Sequence, residues 1–113
     1  MKFMKYIGIK WIYKPNGNCP VQSEGWFLGW YFYFRARWSR ATIEFSESEI
    51  LWDSDARKQY VLKNTDYGEA GWLGYRTCIY LIYKGCFLFS LYLLNIKFKK
   101  LCKQLKLMLS NKK

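Results

Sequence analysis

The chain has 113 residues, enough for one small domain with one modest core. Its 21% aromatic content, with six Trp and ten Tyr, excludes a disordered chain, which lacks such groups to bury. A net charge of +11 and the complete absence of histidine point towards anionic partners, and they remove Ser-His and Cys-His nucleophile activation together with histidine-ligated metals.

The opening M-K-F-M-K-Y-I-G-I-K-W-I-Y-K interrupts any apolar run with lysines at 2, 5, 10 and 14, so it does not read as a cleavable signal. Within it, Ile7, Ile9, Trp11 and Tyr13 alternate with Gly8, Lys10 and Lys14, with Ile12 as the exception. Period two predicts a strand over Tyr6 to Lys14. Pro15-Asn16-Gly17-Asn18 predicts the turn that ends it.

Two-residue turns at Leu28-Gly29 and Ser39-Arg40 fold the next stretch into a three-stranded meander. In that register Val21 faces Ala36, Ser23 faces Phe34, Ala36 faces Ile43 and Phe34 faces Phe45. One face then collects Val21, Phe27, Trp30, Phe32, Phe34, Trp38, Ile43 and Phe45 as a core. The other sets Gln22, Arg35 and Glu44 in one row and Glu24 beside Tyr33, an arrangement in which opposite charges meet across strands.

The acidic stretch from Ser46 to Ala56 reads either as a short helix capped by Ser48 or, with more weight, as a strand end at Ile50 to Trp52 followed by an Asp-Ser-Asp turn. Gln59 to Lys63 reads as a further strand. A joint punctuated by Gly68, Gly71 and Gly74 follows, and divides an antiparallel β module (1-74) from a helical tail (75-113).

The tail is where the charge lies. Residues 70 to 113 carry nine basic side chains and no acidic one, whereas residues 1 to 69 carry ten basic and eight acidic. From Cys78 to Leu94 the only charge is Lys84, and from Leu94 to Leu109 apolar residues recur at helical spacing with Lys99, Lys103 and Lys106 opposite. The fold class is therefore α+β: a small antiparallel sheet of four to five strands followed by a long basic C-terminal helix over residues 76 to 110, with an irregularity near Gly85.

Three roles are open to that helix. It spans a bilayer, although 17 residues fall short of the ~20 usually required; it lies in the plane of the interface; or it packs on the uncovered sheet face as a core helix. Spanning with the lysines inside would place the β module outside the cytoplasm, a point that counts for the in-plane arrangement, while packing as a core helix carries the most weight of the three. The candidate membrane contacts are Phe87, Leu88, Leu91, Leu94 and Phe98, with Lys97, Lys99, Lys100, Lys103 and Lys106 attracting an anionic membrane surface.

A second candidate surface is the strand Y-F-Y-F-R-A-R-W, whose outward Tyr31, Tyr33, Arg35 and Arg37 would form a stacking face for single-stranded nucleic acid. Ordinary cross-strand pairing of Arg35 with Glu44 explains the same residues. A protein-binding adaptor is a third reading.

The carboxylates Glu24, Glu44, Glu47, Glu49, Asp53 and Asp55 come with no phosphate loop or nucleophile elbow. The cysteines at 19, 78, 86 and 102 are too scattered for a zinc knuckle. No catalytic residue, metal or cofactor is assigned, and a non-enzymatic protein of the reducing cytoplasm, with or without membrane attachment, is expected.

The segments C-P-V-Q-S-E-G and F-Y-F-R-A-R, within residues 19 to 37, resemble part of a group of short uncharacterised bacterial or mobile-element proteins. The resemblance implies a small sheet-forming module for Cys19 to Arg37 and carries no function. In that pattern a conventional amphipathic helix follows the sheet, and the apolar, lysine-rich residues 75 to 113 depart from it.

Overall fold

The structure is a computed structural model, and it describes residues 8-47, 58-65 and 68-111. Five strands, β1 (Ile9–Asn16), β2 (Val21–Phe27), β3 (Trp30–Arg37), β4 (Arg40–Ser46) and β5 (Lys58–Asn64), pair in sequence order as an antiparallel meander. A 3-10 turn (Glu69–Trp72) leads into one helix, α1 (Tyr75–Ser110). This is the α+β architecture expected from the pattern. Residues 48-57, which hold the candidate strand end at Ile50 to Trp52, lie outside the described residues.

Strand β2 is alternately buried and half-buried along its whole length, as a sheet covered on one face requires. The first hairpin closes at Leu28 and Gly29, both with positive φ, and pairs Val21 with Ala36 and Ser23 with Phe34 as expected. The second hairpin differs. Its tip is Trp38-Ser39, with Trp38 at φ 56, so Arg37 pairs with Arg40, Phe34 with Ile43 and Phe32 with Phe45.

Moving the tip by one residue slides β4 by two, which preserves which side chains point inward and changes only their neighbours. Two consequences follow. Trp38 leaves the expected core for the hairpin tip, where it is 67% exposed. On the outer face Arg35 lies between Gln22 and Thr42, while Tyr33 lies between Glu24 and Glu44.

Strand β1 runs on through Pro15, which an edge strand tolerates because its missing amide hydrogen interrupts no ladder. Trp11 pairs with Gly25 but Tyr13 with Glu24, so Ile12 is the extra residue of a bulge. That bulge explains the exception to the alternation: Trp11 packs against the core, and Tyr13 turns to the outer-face carboxylate of Glu24.

Helix α1 lies on the inner face of the sheet with its first four turns. Cys78, Leu81, Ile82, Cys86 and Phe89 are buried against Val21, Phe34, Ile43, Phe45 and Leu62. Phe89 is the anchor: its ring stacks on Phe45 at 4.1 Å and meets Trp30 edge-on at 5.2 Å. Lys58 sits 4.8 Å from the ring of Tyr92 and 5.5 Å from that of Tyr60, fastening β5 to the helix.

No irregularity occurs at Gly85. The helix is continuous, and the glycine lets it approach the sheet, since a Cβ there would lie 2.6 Å from Cγ2 of Ile43. The glycine joint is equally specific: Gly71 packs on Cys19, whose amide donates to the Gly71 carbonyl at 2.8 Å, and the Ala70 amide donates to the Trp38 carbonyl at 2.9 Å.

Candidate functional site: the outer stripe of the C-terminal helix

A helix has two long sides, and the sheet covers only one of them here. On the side turned away, Tyr80, Tyr83, Phe87, Leu91, Leu94, Phe98, Leu101, Leu105 and Met108 follow one another at steps of three or four residues. At ~100° per residue they stay within an arc roughly 100° wide. All nine are exposed, Phe87 at 63% and Leu94 at 62%. The stripe begins over the β module and runs without interruption along the half of the helix that projects past it.

Charge is arranged around the stripe, not within it. Lys84 and Lys97 stand at its borders, and Lys99, Lys100, Lys103 and Lys106 fall on the opposite side of the projecting half, beyond the end of the sheet. Ser90 bonds back to the Cys86 carbonyl at 2.9 Å and Ser110 to that of Leu107 at 2.9 Å, so neither hydroxyl needs an outside partner. The helix is long and apolar enough to cross a membrane, with a mean hydropathy of 1.6 over its best 18 residues, and a third of that window (33%) is buried in the protein.

Of the membrane contacts expected from sequence, Phe87, Leu91, Leu94 and Phe98 lie on the stripe and Leu88 does not: it is half-buried against the core, one step round the helix. Lys97, Lys99, Lys100, Lys103 and Lys106 are all exposed. Sequence reasoning missed that Tyr80 and Tyr83 extend the stripe over the β module, although a three-four spacing continued backwards from Phe87 reaches both. It also treated Cys78 to Leu94 as one uniform apolar run, whereas its residues divide between two opposite faces.

The tyrosine-arginine strand is a different kind of surface from the one its alternation announces. Tyr31 points outward but is only 1% exposed, packed on Trp26 at 5.7 Å, with its hydroxyl donating to Glu24. Tyr33 is half-buried and its hydroxyl accepts from the Gln22 amide at 2.7 Å. Glu24 also takes the Tyr13 hydroxyl, whose pKa is pushed up by burial and then by that bond. The outer face therefore carries a tyrosine-carboxylate network where a row of free rings was expected, and of the four named residues only Arg35 and Arg37 lead into open clefts.

The cysteines are free thiols. Burial pushes Cys78 up to about 11 and Cys86 up to about 12, which keeps both protonated and inert, whereas Cys19 is exposed. No group of three or more His, Cys, Asp or Glu side chains among the described residues is placed to hold a metal ion. No protein-family model matches the chain, and neither a curated protein nor a solved structure shows a significant similarity to it.

Proposed function

We propose that this chain is a small accessory protein that seats on an anionic membrane surface, with α1 lying in the plane of the interface between the sheet and the lipid. The observation that carries the reading is the unbroken outer stripe from Tyr80 to Met108, exposed throughout and diametrically opposed to the face that the sheet covers. Large exposed apolar patches mark interaction surfaces, and this one is bordered and backed by lysines with no acidic residue after Glu69. Tyr80 and Tyr83 bring amphipathic rings of the type that settles at headgroup level.

Two physical arguments favour this arrangement over its rivals. A single upright span would need Cys78 to Leu94 free on all sides, yet Cys78, Leu81, Ile82, Cys86 and Phe89 are committed to the sheet, whose polar edge groups cannot enter hydrocarbon. A second copy of the chain is the other natural occupant, because Tyr80, Phe87, Leu94, Leu101 and Met108 recur every seven residues like one position of a coiled-coil seam. But α1 carries Arg76 and six lysines and no carboxylate, so a second copy would add like charge with nothing on the helix to offset it, whereas lipid phosphates would neutralise it.

Flotation tests the reading. The full chain should rise with vesicles containing 30% phosphatidylglycerol and remain below with pure phosphatidylcholine, and added salt should weaken the association. Since each lysine near an anionic surface contributes about 1 kcal/mol, replacing Lys99, Lys100, Lys103 and Lys106 by Gln should weaken binding by about a thousandfold. Phe98→Glu should abolish it with the fold intact. Protein that stays unbound with anionic vesicles and sediments as a dimer would assign the stripe to a second copy and end the membrane reading.

A further inference from the structure

The end of the sheet farthest from the projecting helix carries two clefts that share a wall. One, of about 630 Å³, is lined by Cys19, Arg37, Trp38, Gly68 and Trp72. The other, of about 360 Å³, lies on the outer sheet face among Arg35, Arg37, Trp38, Arg40, Thr42 and Gln59. Arg37 and Trp38 belong to both, so they form one bent groove that passes over the β3-β4 hairpin.

Its chemistry is uneven in an informative way. Trp38 and Trp72 are 67% and 68% exposed, an unusual state for the largest side chain unless its surface is used. The Arg37 guanidinium sits 5.1 Å from the Trp38 ring centroid and braces the indole. Nε of Arg35 is buried with no hydrogen-bond partner among the described residues, an orphaned donor on a permanently charged group. No carboxylate among the described residues lines either cleft. The outer-face acids beyond its edge are Glu44, which lies between Tyr33 and Gln59 in the strand register, and Glu24, which is held by Tyr31 and Tyr13.

We infer that this groove binds a nucleotide unit of a single nucleic-acid strand, with bases stacking on Trp38 and Trp72 and phosphates meeting Arg35, Arg37 and Arg40. Planar rings beside guanidinium groups meet both halves of a nucleotide, and stacking on an indole is indifferent to base identity. Thr42 and Gln59 add a hydroxyl and an amide to the lining of the second cleft, groups of the kind that bond sugar and phosphate oxygens. The groove is open at the surface, which suits a strand passing over the hairpin better than an engulfed small molecule. Arg35, Thr42 and Gln59 face away from α1, so the second cleft opens on the outer sheet face, and neither cleft includes a residue of the stripe, so the groove does not depend on the membrane reading.

The test is anisotropy of a fluorescein-labelled 12-mer oligouridine with the full chain at 50 mM salt, with uridine monophosphate and a duplex of the same length as competitors. The strand should bind, the duplex should compete poorly, and affinity should fall steeply with salt. Trp38→Ala and Trp72→Ala should each weaken binding at least about fivefold. Arg37→Ala with Arg40→Ala should weaken it about tenfold and flatten the salt slope by about 1.4 for two lost phosphate contacts. Strong competition by the mononucleotide would identify the free nucleotide as the source; weak competition would identify the strand.

The variant with Lys99, Lys100, Lys103 and Lys106 replaced by Gln should retain the losses on Trp38→Ala, and Trp38→Ala should still float with vesicles, which separates failure here from failure of the membrane reading. No binding of strand or mononucleotide at low salt would overturn the inference. So would binding that ignores Trp38, Trp72, Arg37 and Arg40 and vanishes with the tail lysines.

Discussion

At the scale of single residues, Phe89 and Gly85 fix how the helix meets the sheet. Phe89→Ala removes the ring stacked on Phe45 and met by Trp30, and should cost about 3–5 kcal/mol in chemical denaturation. Gly85→Ala sets two effects against each other: the helix gains about 1 kcal/mol of propensity, but the new methyl meets Cγ2 of Ile43 at 2.6 Å, on a β-branched side chain with little freedom to move. Overpacking of this kind costs about 1–3 kcal/mol, so a net loss is predicted, whereas an open helical site would show a gain.

The buried thiols set a pH response. Both Cys78 and Cys86 have pKa values raised by burial from an ordinary 9.0, and burial raises Tyr60 as well. A group that keeps its proton more tightly when folded contributes its full stability below the unfolded value and loses it as pH rises through the folded one. Denaturant midpoints should therefore hold below about pH 9 and decline towards pH 12, while alkylation at pH 8.5 should modify Cys19 ahead of Cys78 and Cys86.

At the scale of elements, the helix is two structures in sequence. Buried contacts end at Phe89, with Leu93 still packed against the core, and everything beyond is exposed or half-exposed. A chain ending at Asn95 should consequently melt cooperatively near the temperature of the full chain yet fail to float with anionic vesicles. A chain ending at Gly74 should not fold, because it strips the cover from Phe34, Ile43 and Phe45.

The strand pattern, the inward-outward alternation of the meander apart from Trp38, and the helix were legible in the sequence because each is a local period in polarity, but the expected row of Gln22, Arg35 and Glu44 was not formed. The second hairpin was not legible, since shifting its tip leaves the inward-outward alternation untouched and so leaves no trace in the pattern. Nor was the groove, whose Trp38 comes from a hairpin tip and Trp72 from the turn before the helix, segments that the backbone bond from Ala70 to Trp38 helps to join. Tyr31 shows the converse: alternation correctly placed it outward, but its hydroxyl reaches Glu24, a diagonal neighbour on β2 that alternation alone does not single out.

At the scale of the whole molecule, the chain extends 62 Å along its longest axis against 36 and 24 Å across, and α1, ~54 Å long, sets that axis. Its residues divide into three parallel layers: the outer sheet face with its arginines, the aromatic core, and the outer stripe. This layering gives one short chain two separate outer faces, one polar and one apolar.

Nitroxide labels placed singly along the projecting helix, in a background with Cys19→Ser and Cys102→Ser, test the layering directly. With anionic vesicles, labels at Leu94, Phe98, Leu101 and Leu105 should become accessible to oxygen and shielded from a water-soluble nickel complex, while labels at Lys99 and Lys103 should show the reverse. Labels equally oxygen-accessible around the whole circumference would mean a spanning helix, and labels that remain nickel-accessible at every position would mean no lipid contact; either result contradicts an in-plane seat on the membrane.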